Sequence, residues 1–268
     1  MFSGALQEER KGIVVVIKEN IYGHLKRLQW IISHITGADT IVELGCGTGS
    51  MISLPLTRMG YFISGLDTDE KSIAFGQKLF QKEGFDPKTL KRMDLSELDM
   101  IPDVIIAAEV LEHMHREDLL NTLCTIREKL KPGGLLLITV PNGYGWFEME
   151  SFVWFKTGIG RLLERSKIVS FVRHLKGVLF GKEIDTLYPS TLSNSSHLQR
   201  FTYHSIIRLL EDNGFEVAGS EGSVLLAGPF SNLFFTGIRP VMKINSLLGN
   251  WFPRWASGFY ISCRARKE

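Results

Sequence analysis

The sequence predicts an α/β fold, with a doubly wound, mostly parallel seven-stranded sheet that carries helices on both faces. Three observations predict it. Short apolar runs alternate along the chain with stretches of helical periodicity. Glycines stand where several of the helical stretches should end. The apolar runs contain few polar residues, which is typical of strands that are buried on both faces.

The expected elements follow one another in a regular order. Helices are expected at residues 17–35, 50–59, 70–83, 116–130 and 203–213. Strands are expected at residues 40–44, 61–67, 90–93, 104–108, 135–140, 215–224 and 258–265. Pro55 should bend the second helix unless it falls within the first turn.

Composition narrows the class of protein. The chain has 268 residues, of which 44% are hydrophobic and 22% are charged, so it is expected to be globular. The net charge of +2 excludes a chain that is basic throughout, and nucleic acid is not an expected partner. Three separated cysteines without a CxxC pair favour a reducing, cytoplasmic location. From the sequence we expect neither a signal peptide nor a transmembrane helix.

A glycine-rich loop follows the first expected strand. Gly45, Gly47 and Gly49 remove the Cβ atoms where the chain must turn sharply and contact a ligand. The loop does not fit the dinucleotide-binding pattern, because Ser50 stands in place of its last glycine. The helix that follows should present free N–H groups there.

Acidic residues end the next two strands. Asp67 can accept hydrogen bonds from both hydroxyls of a ribose, and Asp94 with Leu95 can offer a polar contact and an apolar wall to a purine. Three strand ends then converge on one crevice at the carboxyl edge of the sheet. The alternatives are that the glycine loop is only a tight turn and that both acids are helix N-caps.

These segments resemble class I S-adenosylmethionine-dependent methyltransferases in their order and spacing. The matching text is Val-Glu-Leu-Gly-Cys-Gly-Thr-Gly at 42–49, Gly-Leu-Asp at 65–67, Met-Asp-Leu at 93–95, Ala-Glu-Val-Leu-Glu-His at 108–113 and Leu-Lys-Pro-Gly-Gly at 130–134. The chain is similar to the ubiquinone-pathway O-methyltransferase-like group, which implies a Rossmann-like fold and S-adenosylmethionine as cofactor. The resemblance implies that the cofactor is bound by Glu43, Gly45, Gly47, Gly49, Asp67, Thr68, Asp94, Leu95 and Ala107. Thr68 departs from the bulkier apolar residue often found beside the adenine.

A Glu-x-x-Glu-His cluster follows the fourth strand. On a helix, Glu109, Glu112 and His113 would share one face, and two carboxylates with an imidazole suit a divalent ion such as Mg²⁺, Mn²⁺ or Zn²⁺. The spacing resembles the metal site of ubiquinone-pathway and small-RNA 2′-O-methyltransferases, which implies His197, four residues before a phenylalanine, as a further ligand. Without a metal, His113 or His197 can act as a general base. An ordinary ion pair between Glu112 and Arg116 is the alternative.

Two aromatic and basic regions lie outside the expected sheet. The predicted divisions are an N-terminal helical extension at 1–36, a cofactor-binding core at 37–142, a helical lid insert at 143–199, and the rest of the sheet at 200–268 with a second aromatic insert at about 229–255. Residues 151–182 hold seven basic residues and one acid. A lid with its own aromatic core and solvated lysines is expected. The alternatives are peripheral contact with a membrane that holds anionic lipid and, third, RNA binding.

The sequence therefore predicts a cytoplasmic enzyme that transfers a methyl group from S-adenosylmethionine to a small-molecule or lipid-linked acceptor, at an oxygen. Transfer to nitrogen or carbon is an alternative, because the fold does not fix the acceptor atom. A non-catalytic cofactor-binding partner subunit is the other alternative. The oligomeric state is not predicted.

Overall fold

The computed structural model describes residues 20–38, 40–180, 188–193 and 196–266. Most of the expected N-terminal extension and the end of the basic stretch, including Lys182, lie outside the described residues. The strands are β1 (Ile41–Leu44), β2 (Ile63–Asp67), β3 (Leu90–Arg92), β4 (Val104–Ala108), β5 (Leu135–Pro141), β6 (Phe215–Gly222) and β7 (Gly258–Ala265). The α-helices are α1 (His24–His34), α2 (Ser53–Arg58), α3 (Glu70–Lys82), α4 (Arg116–Lys129), α5 (Trp146–Ser151), α6 (Ile159–Arg165), α7 (Ile168–Phe180), α8 (Tyr203–Asp212), α9 (Pro229–Phe235) and α10 (Arg239–Trp251).

The sheet confirms the predicted Rossmann-like architecture. Its strand order is β3-β2-β1-β4-β5-β7-β6. Strands β1 to β5 pair in parallel, and β7 runs antiparallel to both β5 and β6. The strand order reverses between β1 and β4. At such a switch point the carboxyl ends of the strands border a crevice in which ligands bind.

Alternating side chains bury the sheet on both faces. Val42 of β1 and Ile105 of β4 pack into one core, together with apolar residues of α4 and α8. Ile41 and Ile106, their neighbours along the same strands, pack on the opposite face with α1. This two-sided burial explains why the central strands are apolar at almost every position.

Two helices differ from the prediction at their first turns. The described part of the expected helix 17–35 begins only at His24, because Gly23 adopts a left-handed φ of 72° and the chain turns before it. The expected helix 50–59 is α2, in which Pro55 is the third residue. Pro55 causes no conflict there, because the first N–H groups of a helix have no intrahelical partner.

The two inserts pack against each other. After α5 the chain makes a π-helical turn, Phe152–Lys156, and continues into α6 and α7. Trp154 of this turn packs edge-on against Phe230 of α9, with ring centroids 4.8 Å apart, inside a small cluster that includes Val169 and Leu233. The described helices, those of both inserts included, lack the combination of length and apolar character needed to cross a membrane.

Two buried charges join the inserts through α9. The Glu150 carboxylate accepts hydrogen bonds from Trp146 Nε1, at 2.6 Å, and from the Ser231 amide, at 2.8 Å, at the start of α9. At the other end of α9, Lys176 Nζ donates to the carbonyls of Asn232 and Thr236, at 3.3 and 2.9 Å. The expectation that the lysines of the insert are solvated is therefore wrong for Lys176, because the last carbonyls of a helix attract a cation.

Replacing Glu150 with alanine should loosen α9 without unfolding the sheet. The substitution leaves the buried amide of Ser231 and the partly exposed Nε1 of Trp146 without their acceptor, which costs about 2 kcal/mol of local opening free energy. Hydrogen exchange of the α9 amides should accelerate accordingly, whereas the amides of β4 should be unaffected. Glu164→Ala, which removes an exposed acid of the same insert, is the control. Equal exchange of α9 in both variants would contradict the role assigned to Glu150.

Candidate active site at the carboxyl edge of the sheet

The glycine loop leaves β1 and leads towards α2. Gly45, Gly47 and Gly49 have φ values of 69°, 55° and 69°, a left-handed backbone that residues with a Cβ atom rarely adopt. The amides of Gly45 and Cys46 both donate to the Leu66 carbonyl, at 2.8 and 3.0 Å. These bonds fix the loop to the end of β2.

Asp67, the last residue of β2, holds the loop from the other side. Its Oδ2 atom accepts a hydrogen bond from the Gly47 amide at 2.7 Å, and its Oδ1 atom accepts one from the Asp69 amide at 2.8 Å. Asp69 itself caps α3 by accepting from the Ser72 amide. The N-cap alternative therefore does not hold for Asp67. Each carboxylate oxygen can accept a second hydrogen bond, which suits the proposed ribose contact.

Glu43 lies buried beneath the loop. Its Oε2 atom accepts hydrogen bonds from the Ser53 amide, at 2.9 Å, and from the Ser53 hydroxyl. Burial raises the pKa of Glu43 from 4.5 to about 7, although both bonds to Ser53 lower it. The carboxyl thus supports the start of α2. Its contact with the methionine part of a cofactor stays a prediction.

Residues 188–193, here called the strap, lie across the glycine loop. The Pro189 carbonyl accepts from the Thr48 hydroxyl at 2.6 Å, and the Ser190 carbonyl accepts from the Thr48 amide at 2.9 Å. A Cβ atom on Gly47 would lie 2.2 Å from the Ser190 oxygen. The expectation of free N–H groups at the start of the following helix is wrong for Ser53 and Leu54, whose amides donate to Glu43 Oε2 and to the Gly49 carbonyl. The polar sequence of the strap predicts a loop but carries no signal of the surface it contacts.

The remaining residues expected to bind the cofactor, Asp94, Leu95, Ala107 and Thr68, differ from one another in burial and in hydrogen bonding. Asp94 Oδ1 accepts from the amide and hydroxyl of Ser96, at 2.9 and 2.6 Å, so Asp94 does cap a short 3-10 helix, and these bonds lower its pKa. The side chains of Leu95 and Ala107 are buried in the core. Thr68 is exposed at the start of the turn into α3. Contact of these residues with a cofactor stays a prediction.

Glu112, His113 and His197 come together beyond β4. One ligand atom from each lies within 4.8 Å of the others, and the two imidazole centroids are 5.0 Å apart. Glu112 is only 1% exposed, and neither of its carboxylate oxygens has a hydrogen-bond partner among the described residues. The alternative ion pair with Arg116 is therefore not formed. Burial, with a smaller contribution from the charge of Glu109, raises the pKa of Glu112 well above 4.5.

Glu109 lies outside this group, contrary to the expectation. It has a left-handed φ of 54°, and its carboxylate accepts from the Thr139 hydroxyl at 2.9 Å and lies 3.6 Å from Arg27 Nη1. The segment Leu111–His113 is a 3-10 helix. The argument from α-helical spacing therefore fails, because the chain turns between Glu109 and the rest of the motif.

Two charged neighbours of the site were missed by the sequence analysis. Glu148 of α5 places Oε1 3.7 Å from Nδ1 of His197, which brings the first insert to the edge of the cluster. Arg27 of α1 lies 3.6 Å from the Glu109 carboxylate, and its charge lowers the pKa of Glu112. Neither residue belongs to a motif, and only the folded chain brings them near the site.

The buried Glu43 should make stability depend on pH. Because its pKa is about 7 in the folded chain and 4.5 otherwise, the folded state retains a proton that the unfolded state has lost. The stability that the protonated carboxyl contributes is complete below pH 4.5 and is lost as the pH rises through about 7, a change of about 3 kcal/mol. Urea unfolding of the wild type and Glu43→Gln from pH 5 to 8 should show this extra decline in the wild type alone. Parallel pH profiles would contradict it.

Comparison of the sequence with known proteins finds methyltransferases. Residues 18–219 match the family model described as the methyltransferase domain. The ubiquinone biosynthesis O-methyltransferase of Agrobacterium fabrum is 33% identical over 104 residues, which are 38% of this chain and 40% of that protein. The mitochondrial ubiquinone biosynthesis O-methyltransferase of Rattus norvegicus is 32% identical over 201 residues, which cover 71% of this chain and 48% of the relative. The chain thus matches less than half the length of these two relatives.

Solved structures share the fold. An S-adenosylmethionine-dependent methyltransferase from Clostridium acetobutylicum superposes with a TM-score of 0.53 at 12% identity, covering 90% of this chain and 92% of that one. Magnesium protoporphyrin IX methyltransferase from Synechocystis with bound SAH superposes with a TM-score of 0.52 at 16% identity. The match covers 97% of this chain and 94% of that one. The fold agrees with the family match, which extends over three quarters of the sequence. This chain belongs to the methyltransferase domain family.

Proposed function

We propose that this chain transfers a methyl group from S-adenosylmethionine to a hydroxyl oxygen of a small-molecule acceptor, free or lipid-linked. The observation that carries the proposal is the pairing of Asp67 with the Gly47 amide at the switch point of the sheet, at 2.7 Å. Membership of the methyltransferase family supports it. The names of the relatives, which specify O-methylation in ubiquinone biosynthesis, favour oxygen as the acceptor atom.

The residues at the carboxyl edge fit the cofactor. Asp67 has acceptor capacity left on both oxygens, and the glycine loop beside it brings backbone close to any ligand in the crevice. S-adenosylmethionine, when bound, supplies an electrophilic methyl group on a sulfonium. The chain has to hold the acceptor oxygen in line with that group, since proximity and orientation account for most of the gain in rate.

The two histidines are placed to receive the proton of the acceptor hydroxyl. His113 and His197 face each other beyond the end of β4, on the same edge of the sheet as Asp67. Both are partly exposed, so an acceptor can reach them. A neutral imidazole within hydrogen-bond reach of the hydroxyl can act as a general base. Either histidine can take this role.

The same cluster fits a divalent metal. Glu112 offers two buried oxygens without hydrogen-bond partners among the described residues, and His113 and His197 each offer a nitrogen within 4.8 Å. One carboxylate and two imidazoles form a three-residue ligand set that leaves positions open for a substrate oxygen. The ion would lower the pKa of a bound hydroxyl. Glu109 is not part of the proposed set, because its carboxylate faces Thr139.

We further propose that the first insert covers the acceptor site. Glu148 of α5 approaches His197 to 3.7 Å, and the strap reaches the glycine loop. The division of the chain at residues 143 and 199 stays a prediction from the sequence. The cytoplasmic location stays a prediction from the sequence.

Asp67→Asn should weaken cofactor binding. The amide keeps the size of the side chain but loses the charge and one acceptor oxygen, so affinity for S-adenosylmethionine should fall by about tenfold or more. Isothermal titration calorimetry measures this. Asp69→Asn is the matched control, because an asparagine two residues away still caps α3. Equal affinity in the two variants and the wild type would refute the ribose contact.

Metal content tests the cluster independently of catalysis. The protein is incubated with Zn²⁺ or Mn²⁺ and desalted, and the bound metal is then measured. The wild type should retain about one ion per chain, and His113→Ala or Glu112→Gln should retain far less. Glu109→Gln is the matched control and should behave as the wild type, since its side chain points elsewhere. Retention by Glu112→Gln, or loss in Glu109→Gln, would overturn the proposed ligand set.

Analysis of the methylated product identifies the acceptor atom. Methyl-labelled S-adenosylmethionine should label a hydroxylated aromatic acceptor, such as a precursor of ubiquinone, and NMR of the product should place the label on oxygen. Label on nitrogen or carbon would reassign the reaction. Cofactor binding without transfer to any fraction of a cell extract would support a non-catalytic subunit instead.

A further inference from the structure

The outer face of α7 carries an apolar stripe that is exposed in the described part of the chain. Its residues recur every three or four positions, which places them on one side of the helix. The stripe consists of Ile168, Phe171, Leu175, Val178 and Leu179, whose exposures range from 43% to 70%. Surface helices ordinarily turn such residues inward, so a stripe of this kind indicates an interaction surface.

The inner face of the same helix is fixed by a buried lysine. Val169, Val172 and Lys176 lie against the small core of the inserts, and Lys176 is only 6% exposed. Its ammonium group donates to two carbonyls of the α9 region. Rotating α7 to bury the stripe would pull this cation away from its acceptors. The stripe is therefore held outward by the packing of the insert.

Further exposed apolar residues belong to the same insert. Phe152 and Phe155 of the π-helical turn are 62% and 66% exposed, and Leu162 of α6 is 67% exposed. The second insert repeats the pattern, since Ile244, Leu247 and Trp251 of α10 recur at helical spacing and are also exposed. Isolated exposed residues need no explanation, but apolar stripes that recur on helices of both inserts do.

Charge indicates what the partner is. Residues 151–180 hold six basic residues and one acid, and five of the basic side chains are exposed: Lys156, Arg161, Arg165, Lys167 and Arg173. Residues 229–255 hold three basic residues and no acid. A second copy of this surface would bring like charges together, which opposes self-association. An anionic lipid surface offers both an apolar layer and negative head groups.

We propose that the stripe of α7, flanked by these cations, docks the chain on the surface of an anionic lipid bilayer. The helix lies in the plane of the interface, with Phe171 and Leu175 at the level of the acyl chains and the arginines at the head groups. This surface is separate from the cofactor and acceptor residues. It does not depend on the proposed methyl transfer.

Vesicle sedimentation tests the proposal with the full chain. The wild type should pellet with phosphatidylcholine vesicles that contain phosphatidylglycerol, much less with phosphatidylcholine alone, and less as salt increases. The double variant Phe171→Ser, Leu175→Ser should lose about tenfold or more in partitioning. Phe62→Ser is the matched control, because Phe62 is equally exposed, at 64%, but lies outside the inserts.

Three results would overturn the proposal. The wild type could fail to pellet with anionic vesicles at low salt, or the double variant could pellet as well as Phe62→Ser. Size-exclusion chromatography could also show a dimer that the double variant abolishes without any vesicle binding, which would assign the stripe to a second copy. Calorimetric binding of S-adenosylmethionine by the double variant, measured without lipid, shows whether it is folded. The same measurement distinguishes a failure of the proposed membrane docking from a failure of the proposed methyl transfer.

Discussion

The site depends on the attachment of the glycine loop to the end of β2. The Leu66 carbonyl accepts two loop amides, and the Asp67 carboxylate accepts a third. These bonds use donors that a tight left-handed turn would otherwise leave unpaired, and they place a carboxylate where the sheet changes direction. The buried Glu43 has a similar role beneath the loop, since its carboxyl accepts a hydrogen bond from the Ser53 amide in the first turn of α2. The chain therefore fixes the loop and the two carboxyl groups with its own hydrogen bonds, without a ligand.

The sheet and the loop could be predicted because their signals are local. Strand β4 is apolar throughout, and β1 is apolar at every position except Glu43, since both faces of the sheet are covered. The order of the loop glycines and strand-end acids follows the order of the strands. The first residues of the helices are harder to predict than the strands. Gly23 delays the described start of the first helix to His24 because its backbone is left-handed, whereas Pro55 fits because it lies in a first turn.

The remaining parts of the site could not be predicted, because they depend on backbone conformation or long-range packing. Spacing alone placed Glu109 with Glu112, but Glu109 itself has a left-handed backbone and Glu112 lies in a 3-10 turn instead of an α-helix. The contact between the strap and Thr48 joins positions about 140 residues apart, and no periodicity encodes it. The histidine pair was anticipated from a family resemblance, and its geometry required the fold.

The inserts show how buried charges can determine which surface a helix presents. Glu150 and Lys176 occupy opposite ends of α9, where the helix offers unpaired amides and unpaired carbonyls respectively. Because Lys176 points inward, the adjacent apolar stripe of α7 has to point outward. An insert that only covered an acceptor site would gain stability from the opposite rotation, with the stripe buried and the lysine in water. The observed rotation is therefore better explained by an external apolar layer than by the needs of the lid alone.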